Sequence, residues 1–189
     1  MNVQAQSVLD FWFPPGGGAR SEWFQKSAQF DSEIGARFGP LIEQALAGGL
    51  RTWDSESPQA GLAHILLLDQ FTRNVFRGTA RAFAGDALAL NAAQDMVDAD
   101  EDLALPPWQR AFVYMPFEHA ENAAMQAQAV VLFSRLAAGA PEFDSMLDYA
   151  RRHRVVIERY GRFPHRNQIL GRASTADELD FLQQPGSGF

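Results

Sequence analysis

Three stretches of the chain concentrate side chains able to hold or move charge. Leu66–Phe83, LLLDQFTRNVFRGTARAF, sets Asp69, Gln70, Arg73, Asn74, Arg77 and Arg81 directly after the aliphatic run Ile65–Leu68. MPFEHAEN at 115–122 carries Glu118, His119 and Glu121, and RFPHRNQILGR at 162–172 carries Arg162, His165, Arg166, Asn167 and Arg172. Two kinds of chemistry suit these residue types. Arginine offers a planar fork of donors that grips carboxylates and phosphates at two points. A glutamate beside a histidine can serve general acid–base catalysis.

Spacing narrows the choice. Asp69 and Arg73 lie four apart and share a helix face, while Gln70, Asn74 and Arg77 form a second row at steps of four and three. Pro116 suits a first helical turn, which would place Glu118, His119 and Glu121 at the positive end of a helix dipole. Glu118, Asn122 and Gln126 then share one face. A ligand-binding set of Asp69, Arg73, Asn74, Arg77, Glu118, His119, Arg166 and Asn167 follows, with His119, Glu121 and His165 as catalytic candidates. The competing reading is architectural: the same pairs pin turns and fix packing. Of the other histidines, His153 keeps helical spacing with Tyr149, Ile157 and Tyr160, a core or groove position. His64, beside the aliphatic run, reads as a satisfied helical histidine.

The excluded chemistry is clearer. His119 and Glu121 point to different faces and no H-E-x-x-H helix occurs, so no metal site is expected. The acidic run Asp98, Asp100, Glu101 and Asp102 lacks the glycine and ligand offsets of a divalent-cation loop and reads as a solvated connector. No G-x-S-x-G elbow, P-loop or dinucleotide fingerprint is present, so neither a serine triad nor a cofactor is expected. With no cysteine, thiolate ligands, disulfides and a cysteine nucleophile are excluded.

The elements that must position these groups are all helical. Val3–Phe13 opens the chain and stops at Pro14-Pro15. A second helix from 28 to 47 spaces Phe30, Ile34, Phe38, Leu41, Ile42 and Ala45 helically, with a kink or break expected at Gly39-Pro40. Ser57-Pro58 starts a third that should run to about Val75. Helices follow over about 87–99, from Pro106-Pro107, from Pro116 to about Leu136, and from Glu142 to Tyr160. RFPHRN reads as loop with one short turn, and Thr175 to Glu178 is a capping box that opens a last helix. No strand alternation appears. The expectation is an all-α fold of about eight helices, packed as antiparallel helical hairpins within a single domain over 1–189.

Composition agrees. A 189-residue chain that is 47% hydrophobic and 12% aromatic can bury a sizeable core. Net charge is −7, which disfavours nucleic acid as a partner. No apolar run reaches the roughly 20 residues of a membrane span, and no signal peptide is read, so a soluble cytoplasmic protein is expected. Lys26 is the only lysine among 16 basic residues, so nearly every cation here is an arginine fork.

LLLDQFTRNVFRGTARAF, YMPFEHAE and YGRFPHRNQILGR together resemble the bacterial family catalogued as domain of unknown function 924. The likeness runs from LDFWF near the N-terminus to STADELDFL. It includes Asp69, Gln70, Phe71, Arg73, Asn74, Arg77, Met115, Pro116, His119, Glu121, His165, Arg166 and Asn167. Ala120 stands where a serine is common in similar sequences, so a mechanism needing that hydroxyl is not supported. The resemblance implies an all-helical fold of the tetratricopeptide-like superfamily and brings no established activity. Three functions compete: a binding module whose Arg/His/Glu-lined groove takes an anionic small molecule or acidic peptide, a hydrolase-type acid–base enzyme using Glu118 or Glu121 with His119 or His165, and a purely structural polar network. Oligomeric state is not legible in the sequence.

Overall fold

The first helix begins where Asn2 can cap it. Its side chain accepts the backbone N–H groups of Gln4 and Ala5, and α1 runs Val3–Trp12. In this computed structural model, which describes residues 2–188, the regular structure of the described residues is entirely helical. α2 spans Ala28–Leu46, capped by Ser27, and buries the expected row from Phe30 to Ala45. Pro40 lies inside α2 and does not break it. Buried Phe38, Leu41 and Ile42 hold both sides of the proline to the core, which outweighs one missing N–H donor.

α3 is one continuous helix in three parts. Pro58–Leu66 is α-helical and capped by Ser57, Leu67–Phe71 is a π-helical turn, and Thr72–Val75 returns to α geometry. Thr72 Oγ1 donates to the Leu68 carbonyl at 2.7 Å and the Asp69 carbonyl at 3.2 Å, engaging acceptors that the wider turn displaces. α4 is Asp86–Asp98. α5 is Pro107–His119, α6 Ala123–Ala137, α7 Asp144–Tyr160 and α8 Ala176–Leu182. Gly161, at φ +70°, ends α7 in the left-handed conformation that glycine tolerates. The Thr175/Glu178 capping box opens α8.

One expected boundary is corrected. Pro116 does not start a helix; it sits within α5, and the break falls at Ala120–Asn122. Asn122 is the cap that decides this, accepting from Ala124 and Met125. Gln126 seals the preceding end by donating to the carbonyls of Glu118 and Ala120. Glu118 and His119 therefore lie at a helix C-terminus, the negative end of its dipole. The acidic connector is corrected as well. Asp98, Asp100 and Glu101 are exposed, but Asp102 is buried, accepting the Tyr114 hydroxyl at 2.5 Å.

The chain forms two compact units. One runs to Arg77 and resumes over Arg81–Pro116; the other takes Gly78–Ala80 and the chain from Phe117. The first is built on aromatic contact. Phe11 stacks on Phe30 at 5.1 Å, and Trp12 lies 5.3 Å from Phe71 and 5.5 Å from Phe112. Burying each such ring contributes about 1.5–3 kcal/mol. The second pairs α6 with α7 and buries Leu132, Phe133, Ala150, Val156, Ile157 and Phe163. No helix among the described residues is long and apolar enough to cross a membrane.

Candidate functional site

The π-helical turn of α3 buries Asp69 completely. Arg73 Nη1 meets its Oδ1 at 2.9 Å and its backbone carbonyl at 2.8 Å. The same guanidinium closes at two points on Asp86, at 2.9 and 3.1 Å. Burial opposes the charge on Arg73, and Asp69 and Asp86 more than offset it, raising its pKa. Gln70 donates to Asp69 Oδ2 and to Met115 Sδ. Asn74 and Arg77 both reach back to Asp31 on α2, Arg77 through two bonds of 2.9 and 3.0 Å. The donors of the first polar stretch thus close on carboxylates of their own unit.

The second and third stretches converge within the second unit. His153 Nδ1 lies 2.9 Å from the Tyr149 carbonyl and 3.1 Å from Glu118 Oε1. Both oxygens accept, so Nδ1 carries the proton and Nε2 is the basic nitrogen. The His153 ring is 6.4 Å from His119 and 5.4 Å from Phe163. His165 stacks obliquely on Phe163 at 5.6 Å, and the Arg166 guanidinium lies over the same ring at 4.5 Å. One cationic side chain and two imidazoles pack on Phe163, with His119 and Glu118 against His153. Glu118, His153 and Arg166 are buried, whereas His119 and His165 are half-buried.

Charge and burial act together here. Burial pushes His153 down to about 3, with further depression from His119, Arg166 and His165; the Tyr149 bond opposes it. His165 falls to about 4, through burial first and then Arg166, with Glu121 opposing. Both rings are neutral at pH 7.

Glu121 and Asn167 have a different setting. The Glu121 carboxylate grips Arg172 at 2.6 and 2.9 Å and accepts the Phe163 N–H at 2.7 Å. Although burial raises its pKa, those partners prevail and lower it. Asn167 links Ser174, Glu178 and Arg172. Glu178, held by both arms of Arg162 and by the Thr175 N–H, drops to about 2. These contacts lace the 162–178 loop and fix the ring of Phe163, His165 and Arg166. His153 is the member that the sequence reading left outside the site. Its signal was its place one turn after Tyr149, whose carbonyl sets its tautomer. Among the described residues, no group of three or more His, Asp and Glu is placed to hold a metal ion.

The family model described as bacterial protein of unknown function (DUF924) matches residues 8–186. The chain belongs to the DUF924 family. This DUF924 protein is also similar to a solved protein of unknown function from Agrobacterium tumefaciens, with 40% identity and a TM-score of 0.85. That likeness covers 95% of this chain and 97% of the other. No curated protein matches the DUF924 chain.

Proposed function

We propose that this DUF924 protein is a binding module that takes a small anion, or the acidic end of a peptide, at the histidine–arginine cluster of its second unit. The carrying observation is the packing of His153, His165 and Arg166 on Phe163, with His119 beside His153. Burial first, and then the neighbouring positive groups, depress the protonation of His153 and His165, and an incoming carboxylate or phosphate would offset the second of these. Glu121 is engaged by Arg172 and holds the loop rather than a ligand. Asp69, Arg73, Asn74 and Arg77 are assigned to the architecture of the first unit, since Asp31 and Asp86 already occupy their donors. Nucleic acid is not proposed, given the net charge of −7. Neither is a membrane; a cytoplasmic metabolite or peptide suits the cluster.

The test is a titration of isotope-labelled protein with inorganic phosphate and with citrate, following the histidine ring signals by NMR. Saturable shifts of His119 and His165 are expected, with affinity falling about tenfold or more in Arg166→Gln, the loss of one charge-assisted contact. Ring signals unmoved by either anion would overturn the reading.

A second reading has one observation in its favour, the 3.1 Å contact of Glu118 with His153. A carboxylate that orients an imidazole is the support a general base needs. Under that reading Glu118→Gln removes a turnover that an otherwise folded protein performs; a broad hydrolase screen in which wild type and variant are equally inert rejects it.

A further inference from the structure

α8 is held to the second unit mainly by polar contacts. Glu178 is its only buried residue, Leu179 is 52% exposed, and Phe181 and Leu182 are half-buried. Phe181 packs on Tyr160 at 5.2 Å. By contrast, α6 buries Leu132, Phe133 and Leu136, and α7 buries Met146, Val156 and Ile157. At 7 residues, α8 falls short of the roughly 12–15 at which an isolated helix becomes even marginally stable in water. It is therefore helical only while docked.

The docking runs through one carboxylate. Glu178, 2% exposed, accepts Arg162 Nε and Nη2 at 2.7 and 2.8 Å, and Asn167 Nδ2 at 3.3 Å. Arg162 and Asn167 stand on either side of the turn Pro164–Arg166, so a single side chain of α8 clamps both ends of it. That turn carries His165 and Arg166. We propose that α8 is a latch on this turn: it undocks as a unit at a cost well below global unfolding, and its docking keeps the turn ordered. Undocking withdraws Glu178 from Arg162 and Asn167 together. The turn then retains its backbone bonds and the Arg172 contacts to Asn167 and the Phe163 carbonyl. The consequence for ligands rests on the function proposed above. An anion held at His165 and Arg166 favours the ordered turn, so it favours docked α8, and by reciprocity loss of α8 weakens anion binding.

Hydrogen exchange of the full chain, read amide by amide by NMR without anion, tests the latch. Protection of Leu179–Leu182 should be lower by about tenfold or more than that of the buried residues of α6 and α7. Thr175→Ala removes the cap that accepts the Glu178 N–H at 3.2 Å, on an exposed residue with no hydrogen bond to the turn among the described residues. Exchange of α8 should quicken by about threefold or more in this variant. The bonded amides of Asn167, Leu170 and Arg172 should quicken with it, while α7 stays as in wild type. Glu178→Gln should show the same pattern more strongly; if it does not fold, the wild type and Thr175→Ala still decide. The latch is overturned if α8 is as protected as α7, or if Thr175→Ala loosens α8 and leaves Asn167, Leu170 and Arg172 unchanged. A phosphate titration of Thr175→Ala then reads the coupling, with affinity expected to fall by about threefold or more. Unchanged affinity overturns the coupling; wild type that binds no phosphate rejects the function proposed above, and the exchange data still decide the latch.

Discussion

Arg172 and Glu121 are 51 residues apart in sequence and close on each other at two points, while the same carboxylate accepts the Phe163 N–H. The pair fastens the loop that carries His165 and Arg166 to the start of the α6 segment. Glu121→Gln keeps the shape and removes the charge. Stability should fall by about 1–2 kcal/mol, the worth of a partly exposed charge-assisted pair. Urea denaturation gives this directly, as a lower midpoint at unchanged slope. If Glu121 were instead a catalytic group, the variant would keep wild-type stability.

Asp69→Asn is expected to act on the fold alone. The side chain is fully buried against Arg73, and neutralising it leaves that guanidinium with Asp86 as its remaining carboxylate. A loss of about 2–4 kcal/mol follows, toward the upper range for uncompensated buried charge. Phosphate binding at the histidine cluster should be unchanged. Thermal unfolding and the phosphate titration, run on one sample, separate the two effects; weakened phosphate binding in a fully stable variant would return Asp69 to the ligand site.

Gly85 tests the π-helical turn. A Cβ built there would come within 2.2 Å of the Leu68 carbonyl oxygen, a backbone atom that cannot swing aside. Gly85→Ala should therefore cost about 3 kcal/mol or more, beyond ordinary overpacking. Retained stability would mean that the π turn relaxes to α geometry at little expense.

Local signals carried well from sequence to structure, and distant partners did not. Ser57-Pro58 and the Thr175/Glu178 box each start a helix because the cap and the N–H it accepts lie within four residues. Asp69 with Arg73 was readable for the same reason. Asp31 and Asp86, which decide what the first stretch can do, sit on other helices and carry no mark in the sequence. Pro116 misled because proline signals a helix start only when no stronger cap competes. Asn122, six residues on, satisfies two N–H groups, and the neighbouring buried Phe112, Val113 and Phe117 hold the proline turn helical. The π turn in α3 was invisible, since Leu67 to Phe71 reads as ordinary amphipathic helix. His153 was read as a core or groove position and is buried, but its neighbours Glu118 and His119 arrive from another helix and carried no mark in the sequence.

The histidine cluster makes stability and binding depend on pH in opposite senses. His153 and His165 titrate near 3 and 4 in the folded chain, below the ordinary value of 6.5. The unfolded chain thus binds more protons between those limits, so folding is favoured above pH 6.5 and weakens as pH falls toward 4. Glu178, lowered to about 2 from 4.5, adds a loss in the same direction below pH 4.5. A bound anion reverses the local balance, because it favours the protonated rings and draws their pKa values up. Thermal midpoints measured without anion should fall from pH 7 to pH 5, and His165→Phe should flatten that decline. Phosphate affinity should rise over the same interval, by more than the phosphate's own titration accounts for. Sulfate, which has no titration near neutrality, controls for that. A midpoint that holds steady from pH 7 to pH 5 would show that these rings are solvated in solution, and sulfate affinity that is flat with pH would separate the cluster from anion binding.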